Sequence, residues 1–224
     1  GDACQIEGIT ISNVTAKGGF VGAIMGAGYG VRISNCSAHA VTLTGRASTG
    51  GIIGKAYGSS TINNSSVSGY SQITTVSGAT NRPVCVGGIV GWSLDGIIQN
   101  SKVNINGNIS LGSSVNGYAG GIVGYTNNLV LNSSVSANIS ANKTDGDYAG
   151  GIVGNFSRGS LSDVYNVASI VGNTYAGGIF AYKDNNADTA VEITNAYNSG
   201  RVGNTTSGGI YGYLDSSLTK KMNN

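Results

Sequence analysis

Residues 120–125 read Gly-Gly-Ile-Val-Gly-Tyr, and near-copies stand at 87–92 (GGIVGW) and 150–155 (GGIVGN). A glycine-rich phrase of this kind can cradle a phosphate, form a hinge or mark a structural corner. A phosphate loop needs Lys-Ser or Lys-Thr after its glycines, and a dinucleotide fingerprint needs a following helix. Neither follows any copy. Repetition decides the matter. The two-glycine phrase begins at Gly18, Gly50, Gly87, Gly120, Gly150, Gly177 and Gly208, at separations of 32, 37, 33, 30, 27 and 31 residues. The copies read GGFVG, GGIIG, GGIVG three times, GGIFA and GGIYG. That many copies mark architecture.

A second phrase lies between the copies and centres on an Asn two residues after an aliphatic. It gives Asn13, Asn35, Asn64, Asn100, Asn132, Asp163 and Asn195. Small or apolar residues follow at alternate places, as in Ser65 and Val67 or Ser101 and Val103. A looser β-prone piece closes most units, such as Val103-Asn104-Ile105-Asn106. No unit holds a helical period long enough for a helix. A sandwich also uses short strands, but it does not repeat the same words at the same place. We therefore expect an all-β chain, a parallel β-helix (β-solenoid) of about seven turns, each of roughly 30 residues with three short strands. At ~4.8 Å per turn the rod would be ~35 Å long. Residues 1–224 form one solenoid domain on this reading, with 1–17 a partial N-terminal turn, 18–212 the repeats and 213–224 a tail.

Stacking turns equivalent positions into columns. The first aliphatic of the glycine phrase gives Phe20, Ile52, Ile89, Ile122, Ile152, Ile179 and Ile210, read as one interior column. Glycine around it lets backbone or a ring approach closely. The Asn column sits at a bend, where stacked amides pass hydrogen bonds between turns and tolerate turn dihedrals. Asp163 in that column is a surface acid or a ladder acid with a catalytic role. The next column, Cys36, Ser65, Ser101, Ser133, Val164 and Ala196, is small and interior, so Cys36 reads as a buried free thiol. Cys85 precedes its glycine pair where later units have Tyr118, Tyr148 and Tyr175. A Cys4–Cys36 bridge is left open.

Strand alternation then sends two columns outward. One is Val21, Ile53, Val90, Val123, Val153, Phe180 and Tyr211. The other is Ala23, Lys55, Trp92, Tyr125, Asn155, Tyr182 and Tyr213. Together they make an apolar and aromatic stripe, covered by a loop, domain or subunit, or open as a binding surface. Its candidate ligand-binding residues are Trp92, Tyr125, Phe180, Tyr182, Tyr211 and Tyr213.

Composition narrows the chemistry. Of 224 residues 12 are Lys or Arg and 10 Asp or Glu, so the net charge is +2, and 38 are Gly. Such sparse charge gives no reason to expect nucleic acid as a partner. No apolar run approaches the ~20 residues of a membrane-spanning helix, so no membrane insertion is expected. Three cysteines without ligand spacing and a single histidine, His39, imply no zinc, no metal site and no cofactor. Solenoid lyases and hydrolases need clustered carboxylates, often with Ca²⁺. Here Asp95, Asp163 and Asp215 stand singly. Asp145 with Asp147, and Asp184 with Asp188, are close pairs expected in solvated loops or a weak Ca²⁺ site. His39 has no spaced triad partners, so no catalytic residue is assigned. Lys220 and Lys221 read as a charged terminus that discourages edge pairing. The Asn-x-Ser/Thr triplets, Asn155 among them, are those expected by chance in so Asn- and Ser-rich a chain, and no glycosylation is assigned.

The unit GGIVG followed by x-N-S-x-V, with Tyr-Ala before the glycines in YAGGIVG, resembles the GLUG repeat of bacterial surface proteins, with Ile in place of its Leu. The match runs from about Gly18 to Gly212. GLUG repeats are known from immunoglobulin-A-specific metallopeptidases and large adhesin-like proteins. The resemblance implies an extracellular, bacterial cell-surface location, with any export signal outside this stretch. It does not imply peptidase activity, since no HExxH motif is present. The expectation is a non-catalytic adhesin or binding scaffold with a glycan or protein ligand. The alternative is a carbohydrate-binding or carbohydrate-active β-helix. No capping helix is evident at either end, so a longer rod or self-association, end to end or face to face, is also expected.

Overall fold

The structure is a computed structural model that describes residues 4–76, 83–112, 116–141, 146–183, 191–203, 206–213 and the backbone of 221–223. It is a parallel β-solenoid of about six turns, and no helix occurs among the described residues. One full turn consists of Thr61–Asn63, Ser66–Gly69, Gln72–Thr75, Val84–Gly87 and Val90–Ser93. Each of these pairs in parallel with its equivalents in the turns before and after. Five ladders thus run along the coil. The first four belong to one continuous sheet and the fifth to a second, seven-stranded sheet. The three strand-like runs of each unit become five ladders because two of them bend, one at its Asn and one at its glycine pair.

At the Asn corner the whole column adopts left-handed backbone, with φ between 44° and 57° from Asn13 to Asn195, Asp163 included. Asn accepts this conformation more readily than other non-glycine residues. The side chains then link the turns. Asn64 Nδ2 donates to Asn35 Oδ1 at 2.6 Å, Asn100 Nδ2 to Asn63 Oδ1 at 2.8 Å, and Asn132 Nδ2 to Asn100 Oδ1 at 2.7 Å. One residue on, the buried hydroxyls of Ser65, Ser101 and Ser133 donate to the carbonyls of Asn63, Gln99 and Leu131. Cys36 takes this place in an earlier turn, buried and free as expected.

The glycine corner differs from its expected form. Ile89 and Val90 both direct their backbone N–H to one acceptor, Ile122 O, at 2.9 and 3.0 Å. Ile122 and Val123 do the same to Ile152 O, and Ile152 and Val153 to Ile179 O. Two consecutive amides aimed at one carbonyl cancel the alternation on which side-chain parity depends. Both aliphatics therefore turn inward. Ile53, Val90, Val123, Val153 and Phe180 have no exposed surface, like Ile52, Ile89, Ile122, Ile152 and Ile179 beside them. The outward placing of that column, Phe180 included, is thus corrected. Tyr211 is half-buried and packs against the same core. Glycine is required here for room: a Cβ on Gly88 would lie 2.7 Å from Val103 Cγ2, and one on Gly121 2.6 Å from Val135 Cγ1.

The first copy of the phrase is also corrected. Ile24 and Met25 share the carbonyl of Ile52, and Met25 pairs with Ile53. The corner of that turn is therefore Gly22-Ala23-Ile24-Met25-Gly26, four residues later than GGFVG. Phe20 instead pairs with Ser48 and is 43% exposed. Ala27, not Ala23, stands beside Lys55.

Inside the coil, Ile33, Ile62, Ile98, Val130 and Leu161 stack on the first ladder, and Leu43, Ile73, Ile109, Ile139 and Ile170 on the third. Burying each such side chain contributes about 2 kcal/mol. The second ladder changes chemistry partway, from Val67, Val103 and Val135 to Asn166 and Asn198. Asn166 is fully buried, donates to Asn198 Oδ1 and accepts from the amide of Ala168. The corner between third and fourth ladders varies in length. Eight residues separate Thr75 from Val84, five Leu111 from Gly117, five Ala141 from Asp147, and two Gly172 from Tyr175.

Several smaller expectations resolve. Cys4, Cys36 and Cys85 are all free thiols. Asp147 does not lie in a loop: it begins the strand Asp147–Gly150 and is buried. Asp145, Asp184, Asp188, Asp215 and Lys220 lie outside the described residues. Lys221 is itself paired, opposite Glu192, so residues 221–223 of the expected tail extend the first ladder.

Candidate functional site

The second sheet carries the predicted row. Lys55, Trp92, Tyr125, Asn155, Tyr182 and Tyr213 are in register on successive turns. Trp92, Tyr125, Tyr182 and Tyr213 are half-buried there. Sequence reasoning missed the row's second half. Tyr118, Tyr148 and Tyr175 stack on the fourth ladder and meet the first column ring to ring. The Tyr of YAGG was the available signal, but alternation alone did not bring the two columns together. The chain folding back on itself at the glycine corner does.

The result is one interleaved stack. Tyr148 lies between Tyr118 and Tyr175, with centroids 5.5 and 5.3 Å away and planes within 14°. Tyr182 stacks with Tyr148 at 4.9 Å and with Tyr213 at 5.6 Å, and Tyr175 with Tyr213 at 4.8 Å. At the other end the order changes. Trp92 meets Tyr125 at 62° and Tyr118 meets Tyr125 at 38°. Beyond Trp92, the Lys55 ammonium lies 4.8 Å from the Trp92 ring centre, 5.4 Å from Tyr57 and 5.3 Å from Phe20. A cation over ring faces is electrostatically attracted. The row is therefore continuous from Phe20 to Tyr213.

The parallel stacking limits what the row can do. The faces of Tyr148 and Tyr175 are taken by neighbouring rings. A sugar ring needs an open face to stack upon. Burial, with the Tyr175 and Asp147 groups nearby, holds the Tyr148 hydroxyl above its ordinary pKa, so it stays a neutral donor and acceptor. Asn155 lies fully buried within the row, and its amide oxygen and nitrogen have no hydrogen-bond partner. This burial removes the Asn155 triplet as a glycosylation acceptor. Trp92 Nε1 is likewise buried and unpartnered.

The acids form no comparable centre. Asp163 is exposed and accepts hydrogen bonds from Ser162 Oγ at 2.7 Å and Asn195 Nδ2 at 2.9 Å. These bonds, Ser162 first, hold its carboxyl below the ordinary value. It is an ionised link in the Asn ladder, the opposite of a general acid. Asp95 pairs with Arg158 at 2.8 Å on the exposed surface and accepts from Asn127. His39 is exposed beside Ser68 Oγ at 3.1 Å. Among the described residues no group of three His, Cys, Asp or Glu could hold a metal, and no helix is long and apolar enough to cross a membrane. No family model matches the chain, and no curated protein matches it.

Proposed function

We propose that the chain is a non-catalytic binding scaffold of a bacterial cell surface, an adhesin-like rod whose aromatic row contacts a protein partner. The observation that carries this reading is the row itself, with the rings of Trp92, Tyr125, Tyr182 and Tyr213 half-exposed on the second sheet. Half-buried tyrosines suit protein recognition, since they combine a rigid apolar body with a polar tip. Occupied ring faces count against a long sugar chain laid along the row. The extracellular setting rests on the GLUG resemblance of the repeats.

The test is capture of extracellular-matrix and host-surface proteins on immobilised chain, beside a glycan array and a polysaccharide-cleavage assay. Expected is saturable binding of a protein, lowered about tenfold in Tyr182→Ala and Tyr213→Ala. Glycan binding that depends on Trp92 and Tyr125 would favour the carbohydrate-binding alternative. Cleavage abolished by Asp163→Ala would overturn the non-catalytic reading.

A further inference from the structure

The fourth-ladder column of rings has a gap where Cys85 and, one turn earlier, Ser48 take the place of a ring. Tyr118, Tyr148 and Tyr175 occupy three successive turns, and the turn before them places Cys85 at the same register position, opposite Tyr118. A thiol stands there in place of a phenol ring, and it is itself buried. A cavity of about 210 Å³ opens at that point, lined by Pro83, Cys85, Trp92, Tyr118 and Tyr125. Apolar cavities of about 150 Å³ accept benzene in other proteins. The regular stack breaks at this same place: the parallel planes of Tyr118 and Tyr148 give way to the inclined pairs Tyr118–Tyr125 and Trp92–Tyr125.

We propose that this gap is a binding site for one planar, neutral aromatic ring of phenol size. The following turn shows what fits, because it sets the phenol ring of Tyr118 where Cys85 leaves space, whereas the preceding turn has Ser48 there. The lining is aromatic and aliphatic, and recognition is by shape and ring contact. Burial raises the pKa of the Cys85 thiol, which keeps it uncharged at neutral pH. The Lys55 ammonium is held over the ring of Trp92. The proposal deepens the reading of the aromatic row as a binding face and rests on it in sharing Trp92 and Tyr125.

Trp92 is the only tryptophan, so its single indole N–H resonance reports on the cavity wall. Titration with p-cresol, the side chain of tyrosine, is expected to shift that resonance saturably with a dissociation constant of about 1 mM. Methyl glucoside, a non-planar ring, should leave it in place. Cys85→Tyr fills the gap and should weaken p-cresol at least about tenfold, whereas Cys85→Ala should keep binding. Cys85→Met fills the space with a flexible chain and serves if tyrosine disturbs the fold. Absence of saturation in the unaltered chain overturns the proposal, as does an equal response to methyl glucoside. Unchanged p-cresol binding in folded Cys85→Tyr and Cys85→Met also overturns it. Tyr213→Ala, at the far end of the row, should spare p-cresol binding while reducing protein capture. An unaltered chain that captures protein but does not bind p-cresol therefore refutes the cavity alone, and the reverse refutes the protein-binding face alone.

Discussion

The Asn corner and the glycine corner turn the same chain by opposite means. At the Asn corner each turn spends a side chain: the backbone enters the left-handed region, and amides bridge from turn to turn. At the glycine corner side chains are removed, and consecutive amides converge on one carbonyl of the next turn. The first corner is held by hydrogen bonds at an exposed rim, the second by close packing in a dry interior. Their responses to mutation should differ in size and in kind.

The largest effect is expected at Gly121. A Cβ there overlaps Val135, so Gly121→Val should destabilise by about 3 kcal/mol or more, read as a fall in the urea midpoint. A loss below about 1 kcal/mol would mean that the corner is loosely packed. Next comes the parity of the phrase. Ile122→Ala should cost about 3 kcal/mol and Val123→Ala about 2, because both side chains are buried. A neutral Val123→Ala would restore the outward reading of that column. At the other corner, Asn100→Ala should cost about 2 kcal/mol, combining left-handed strain with lost amide bonds, and Asn100→Gly about 1, since glycine relieves the strain alone. Equal costs for the two would show that conformation contributes nothing there.

The smallest effect concerns Asp163. Its lowered pKa means that it favours the folded chain above the ordinary carboxylate range, and that this contribution is lost as pH falls through the lowered value. Asp163→Asn should flatten the acid limb of the stability–pH curve slightly. An unchanged acid limb would assign it to other carboxylates.

The two corners were also unequally legible in the sequence. Asn13 to Asn195 recur with fixed neighbours, and the requirement that selects them is local: a side chain that tolerates φ near 50° and can both donate and accept. That requirement is written into each residue type. The glycine corner depends on where successive amides point, which residue types do not record, so Val90 and Val123 were expected outside. GGFVG at Gly18 misled for a related reason. It repeats the letters of the corner, yet Ile24 and Met25 occupy the corner. Of the aromatic row, Trp92, Tyr125, Tyr182 and Tyr213 were readable from spacing. Tyr118, Tyr148 and Tyr175 join it only through the fold-back, and Phe180 leaves it for the same reason.

The corner between the third and fourth ladders has taken lengths of eight, five, five and two residues while the strands on either side stay in register. Growth there does not propagate, because each turn is indexed by its own Asn and glycine corners and not by the count of residues between them. This seam is where such a rod can acquire new sequence by descent, and where a foreign peptide could be spliced at successive heights along one edge. A display scaffold with a rung spacing of ~4.8 Å is thus already present in the repeat.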